Sequence, residues 1–125
     1  MSTPLQQIET AIQHYFDGLY EGDVARLAQV FHPQASLFMA SEGGMVVVPV
    51  PEWFERVRGR PSPASQQLPR ADRILMVDLL GPANAVVKVE CLVAPKAYTD
   101  YLSLIEIDGR WMVVAKAYCQ SGTVA

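Results

Sequence analysis

Groups able to move protons or hold metals are few in this chain and widely spaced. His14 and His32 are the only histidines, and without a matched carboxylate cluster they fall short of the three or four ligands a typical metal site needs, so no metal is expected. The patterns GxSxG, GxGxxG and the P-loop are absent, which removes the usual nucleophile elbow and phosphate cradles, and no cofactor is implied. Cys91 and Cys119 lie in apolar, strand-like runs and read as buried reduced thiols rather than a disulfide framework. Aromatic side chains are the more suggestive feature. Tyr15, Phe38, Trp53, Phe54, Tyr98 and Trp111, with Phe16 and Tyr118, come from every region. Converging on one cavity they would suit a flat ligand such as a pteridine or flavin-like ring; packed together they would simply fill a core.

The elements that must position these residues follow from periodicity. Leu5, Ile8, Ile12, Tyr15 and Leu19 recur at steps of three or four and form one helical stripe. Thr3, Pro4 and Gln6 supply a capped start with a capping box, and Gly22 supplies a left-handed stop near Tyr20. Asp23 caps a second helix with Val24, Leu27, Ala28 and Phe31 as its buried face, ended by His32-Pro33. Strand signal runs from Ala35 to Ala40, turns at Ser41 to Gly44, and resumes from Met45 to Val48. Pro49 and Pro51 open a third helix, PEWFERVRG, and GRPSPASQQLPR is a loop at the rim without periodicity.

The remainder reads as sequential antiparallel strands: Arg73 to Leu80, Ala85 to Ala94, Tyr98 to Ile107 and Arg110 to Tyr118. Asp108-Gly109 is a two-residue hairpin signal that sets Ile107 opposite Arg110. Without a bulge, that register groups Asp100, Leu102 and Leu104 with Trp111, Ala115 and Ala117, and puts Lys116 on the other face, across from Tyr101. If Asp100 looks into the space beneath the helices, its carboxyl is desolvated unless Lys116 or Arg73 reaches it, and a pair with Lys116 requires a bulge or a strand end. Small residues at Ala115 and Ala117 would leave room for a cavity. Both sheet faces are largely apolar, so with helices enough for one, a second copy is expected on the other, giving a homodimer through the sheet face.

Composition narrows the classes further. Half of the 125 residues are hydrophobic, 18% are charged and the net charge is -3. There is no basic run or face, so nucleic acid is excluded as a partner. Neither a cationic leader nor an apolar run of about 20 residues is seen, so no membrane partner is expected and a cytoplasmic location is the default. One α+β domain over residues 1–125 is the expected organisation: three N-terminal helices on a curved, mixed but mainly antiparallel sheet, enclosing a cone-shaped cavity.

The segments YFDGLYEGDVARLAQVFHPQASL and YTDYLSLIEIDGRWMVVAKAY, with three helices before a curved sheet, resemble the nuclear transport factor 2-like superfamily. GLYEGD, FHP, DYLSL and DGRW followed by Lys116 look most like its branch named putative lumazine-binding proteins. The resemblance implies a cone between helices and sheet, usually a dimer, and activities that range from isomerases and cyclases to binding proteins. It sets Tyr15 where ketosteroid isomerases keep a tyrosine donating to an enolate oxygen, and Asp100 near their protonated aspartic acid. Their aspartate base corresponds to Met39, a thioether that cannot take a proton, and Phe38 and Ala40 do not replace it. Glu42 lies in the next turn and could in principle reach the mouth, although an exposed turn glutamate is the commoner case.

Three readings follow. The first is a small-molecule-binding protein with an aromatic cavity lined by Tyr15, Phe38, Met39, Trp53, Phe54, Tyr98, Asp100 and Trp111. The second is a general acid/base isomerase, dehydratase or cyclase using Tyr15 and Asp100 on a cyclic or polyketide-like substrate. The third is a dimeric interaction domain with a closed cone.

Overall fold

The computed structural model describes residues 2–123. Its first helix, α1 (Pro4–Glu21), starts on the expected capping box: the Gln6 amide donates to Thr3 Oγ1 and the Thr3 amide to Gln6 Oε1. It stops at Gly22, whose φ of 65° is the left-handed cap glycine tolerates. The stripe Ile8, Ile12, Tyr15, Phe16 and Leu19 is buried, whereas Leu5, in the first turn, is 43% exposed. The Arg26 amide donates to Asp23 at the head of α2 (Val24–Ala28). This helix lies so close to α1 that a Cβ on Gly18 would fall 2.7 Å from Leu27 Cδ2.

α2 is shorter than the sequence implies. Phe31 leaves its face and begins β1 (Phe31–Ser41), because the Val113 amide captures the Val30 carbonyl at 2.8 Å and starts strand pairing there. The carbonyl a longer helix would have used is satisfied by the sheet instead. β2 (Gly44–Pro49) and α3 (Val50–Gly59) follow, the latter burying Val50, Trp53 and Val57. The proline-rich connection contains one turn of 3-10 helix, Ala64–Gln66. Then come β3 (Asp72–Leu80), β4 (Asn84–Val93), β5 (Lys96–Ile107) and β6 (Arg110–Thr123).

The six strands form one sheet in the order β2-β1-β6-β5-β4-β3, antiparallel except where β1 runs parallel to β6. Helices cover one face, where Val87, Val89, Leu102, Leu104 and Val113 meet the α1 stripe in a single core. The α+β cone expected from the sequence is therefore present.

The register of β5 and β6 departs from the simple hairpin at one point. Ile107 pairs with Arg110 and Leu104 with Val113 as expected, but Ser103 pairs with Ala115, leaving Val114 as an extra residue. A bulge of this kind reverses the facing of everything beyond it. Leu102 consequently pairs with Lys116 and Asp100 with Tyr118. Lys116 is thus on the Asp100 face, correcting the unbulged register, and Ala115 and Ala117 turn outward opposite Ser103 and Tyr101. The room those small side chains leave is outside the cone. A further irregularity between Tyr98 and Ala97 bends the far end of the same hairpin.

Candidate functional site

Under the helices, α1, β4 and the bulged β5–β6 hairpin bring four reactive groups together. The Tyr15 hydroxyl donates to Asp100 Oδ2 at 2.6 Å, and the Cys91 thiol lies 3.6 Å from the same oxygen. Lys116 Nζ approaches it to 3.9 Å, an ion pair beyond hydrogen-bonding distance. Asp100 Oδ1 is buried and has no hydrogen-bond partner among the described residues. Tyr15 and Asp100 have no exposed surface. Burial, reinforced by Asp100, holds the Tyr15 hydroxyl well above its usual range, so it remains a donor. The same two influences push the Cys91 thiol up to about 12, which leaves it unreactive as a thiolate nucleophile.

Lys116 is the charged group through which this cluster meets open space. Its ammonium lies 4.8 Å from the centroid of Trp53, 5.0 Å from that of Tyr118 and 5.1 Å from that of Tyr15, so three ring faces surround it. Aromatic stacking fixes these rings: Tyr15 on Phe31 at 5.6 Å, Phe31 on Trp53 at 5.1 Å, and Tyr98 edge-on to Tyr118 at 6.0 Å. Above the amine is a cavity of about 130 Å³ walled by Trp53, Tyr98, Tyr118, Leu19 and Leu37, with Cys91 at its base and Arg56 and Arg60 at its mouth. None of its lining residues is acidic.

The residues singled out from sequence divide between several places. Trp53 and Tyr98 line the cone cavity, whereas Tyr15 and Asp100, expected to line it, are fully buried behind Lys116 and do not reach it. Phe54 packs on Trp53 at 5.8 Å without lining the cavity. Phe38 and Met39 line a different space, an open groove of about 650 Å³ that also includes Met45, Lys88, Tyr101 and Ala117. Trp111 is at the opposite end of the sheet, beside Gln29, Val30 and Arg110. Cys119 is exposed, unlike Cys91. Glu42 is exposed in the β1–β2 turn, and His32 Nδ1 accepts a hydrogen bond from the Gln34 amide. Sequence reasoning missed Lys116 as a cavity residue because no local signal marks the bulge at Val114. It also missed Arg56 and Arg60, which look like ordinary solvated residues of an amphipathic helix.

Comparison with known proteins gives a consistent lineage. The family described as "Putative lumazine-binding" matches residues 3–119. An aldolase, FrzH, from a Cladobotryum species is 27% identical over 109 residues, covering 83% of this chain and 81% of that protein. An NTF2-like protein of unknown function from Shewanella baltica OS155 has a TM-score of 0.81 at 20% identity, covering 98% of this chain and all of the other. A ketosteroid isomerase-like protein from Erwinia carotovora atroseptica SCRI1043 has a TM-score of 0.74 at 16% identity over 98% of this chain and 99% of that one. The structural likenesses establish a fold shared with NTF2-like proteins, and the family match spans nearly all the described residues: the chain belongs to the putative lumazine-binding family.

Proposed function

We propose that this protein binds a small cyclic molecule in the cone cavity, with the ring against Trp53, Tyr98 and Tyr118 and a polar edge on Lys116. The observation that carries this reading is the state of that lysine. Its side chain is only 8% exposed, yet it makes no hydrogen bond among the described residues, and it lines the cavity. A buried amine with unused donors costs stability unless something else satisfies it. Family membership supports a heteroaromatic ligand of the lumazine type. The volume of about 130 Å³ sets a limit. It is below the roughly 300 Å³ of ordinary ligand pockets, and near the about 150 Å³ that accepts a benzene ring. One ring fits as the cavity stands, and two fused rings require Arg56 and Arg60 to swing outward.

The protein works, on this reading, as one domain and as a homodimer through the uncovered sheet face, where Met45, Val47, Met76, Tyr101 and Ile105 are exposed. Burying such a patch against a second copy removes it from water. Free thiols at Cys91 and Cys119 suit a reducing, cytoplasmic setting. The test is titration of lumazine and single-ring analogues into a Trp111→Phe variant, so that Trp53 alone reports. Quenching of Trp53 is expected. Silence at millimolar ligand, with no shift in melting temperature, would leave an interaction domain with a closed cone.

The aldolase relative favours a second reading, general acid/base chemistry on a cyclic or polyketide-like carbonyl compound. Here Lys116 would touch the substrate, while Tyr15, fully buried and committed to Asp100, would orient and polarise it from below. Aldol or retro-aldol turnover that disappears in Lys116→Met, and falls in Tyr15→Phe and Asp100→Asn, would select this reading over simple binding.

A further inference from the structure

We infer that the cone cavity is selective for a ring bearing one negative group, a carboxylate or an acidic ring oxygen, held between Lys116 at the base and Arg60 at the mouth. This rests on the small-molecule reading above and specifies the ligand's charge.

The charged residues lining the cavity are all cations, Lys116, Arg56 and Arg60. They differ in how far they are already engaged. Arg56 pairs with Glu52 at 3.2 Å along the exposed side of α3. Arg60, one residue past the end of that helix, has no ion pair among the described residues. Lys116 has a carboxylate neighbour, but at 3.9 Å Asp100 Oδ2 is too distant to take a hydrogen bond from it, and that oxygen already accepts from Tyr15 at 2.6 Å. The ring faces of Trp53, Tyr15 and Tyr118 attract the ammonium without offering a lone pair. Its three N–H donors therefore have one direction left in which to find acceptors, the cavity.

Shape and charge together define the ligand. Aromatic walls select a flat body, and the small volume keeps it near one ring. A neutral carbonyl could accept one bond from Lys116. An anion gains more, because it adds full opposite-charge attraction to the ammonium in a poorly solvated site, and because the Arg60 guanidinium that also lines the cavity attracts it. Asp100, one layer below, repels an anion that sinks too deep and so fixes how far it enters.

Benzoate and benzamide separate charge from shape, since they share a ring and an outline. Each is titrated into the full-length protein in the Trp111→Phe background, read by Trp53 emission and by calorimetry. Benzoate is expected to bind at least about tenfold more tightly than benzamide. Added salt should weaken benzoate and leave benzamide unchanged. Lys116→Met should abolish the preference. Arg60→Gln, an exposed position whose change does not threaten folding, should reduce benzoate affinity by about three- to tenfold without affecting benzamide. Equal binding of both compounds, lost together in Trp53→Ala, overturns charge selectivity and keeps the cavity as a binding site. Failure of both compounds to bind at all overturns the cavity reading as well.

Discussion

Tyr101 and Leu102 are neighbours in β5, yet they belong to surfaces governed by different physics. Leu102 is fully buried, paired with Lys116 on the helix-covered face beside Asp100. Tyr101 is 49% exposed on the other face, beside Lys88 and opposite Ala117. Both faces are apolar, but only the covered one holds charge away from water. There each polar group constrains the others: Tyr15 needs Asp100, Asp100 needs a cation, and Lys116 needs rings and an acceptor. On the open face exposed aliphatic and aromatic side chains can be exchanged for one another with little effect on their neighbours. Hydrophobicity sets where a surface can be covered, and the pattern of unsatisfied polar groups marks where a ligand can be recognised.

Substitutions should separate the faces by magnitude. Lys116→Met leaves the Asp100 carboxyl buried without its cation and should lower unfolding free energy by about 3–5 kcal/mol in urea titration. Adding Asp100→Asn should recover a large share of that loss, and a double mutant no better than the single would mean the two groups are not coupled. Tyr15→Phe removes one hydrogen bond to a charged acceptor at a fully buried site and should cost about 1.5–3 kcal/mol.

Alkaline pH should act on the covered face alone. In the unfolded chain Cys91 loses its proton near 9 and Tyr15 near 10, while the folded protein keeps the first to about 12 and the second well beyond its usual value. The fold then retains protons the unfolded chain has released, so stability is complete below pH 9 and declines as pH rises above it. The loss should be on the order of 1 kcal/mol by pH 10. Cys91→Ala should remove the earlier part of the decline in a series of melting curves. On the open face, Tyr101→Ser should change monomer stability by less than about 0.5 kcal/mol. Its effect should instead appear in light scattering as a fall from dimer to monomer mass, and a dimer that survives both this change and Ile105→Ser would move the interface elsewhere.

Much of this arrangement is legible in the sequence because it depends on local signals. Thr3, Gln6, Gly22 and Asp23 each fix a helix end through bonds to residues within a few positions, and Asp108-Gly109 fixes a hairpin. Tyr15 and Asp100 could be brought together from the resemblance, and they do touch. The site's composition is less legible because it depends on one unpaired residue. Val114 is chemically ordinary, and nothing in VVAKAY distinguishes a regular strand from one that slips by a residue. That slip moved Lys116 in and Ala115 and Ala117 out, and so made the cavity smaller and more cationic than an alternating pattern implies. Phe31 is a similar case, since the Val113 amide, distant in the chain, converts a helical ending into a strand.

The close crossing at Gly18 bears on how a guest gets in. With no side chain between them, α1 and the five-residue α2 touch backbone to leucine, which leaves no gap for a guest on that side of the roof. α3 instead rests on the sheet through Trp53 and Val57 and ends at Gly59, with nothing within 4 Å of the position a side chain there would take. A visitor larger than a single ring would have to be admitted by the tail of α3 yielding, which makes the doorway and the arginines beside it one and the same part of the molecule.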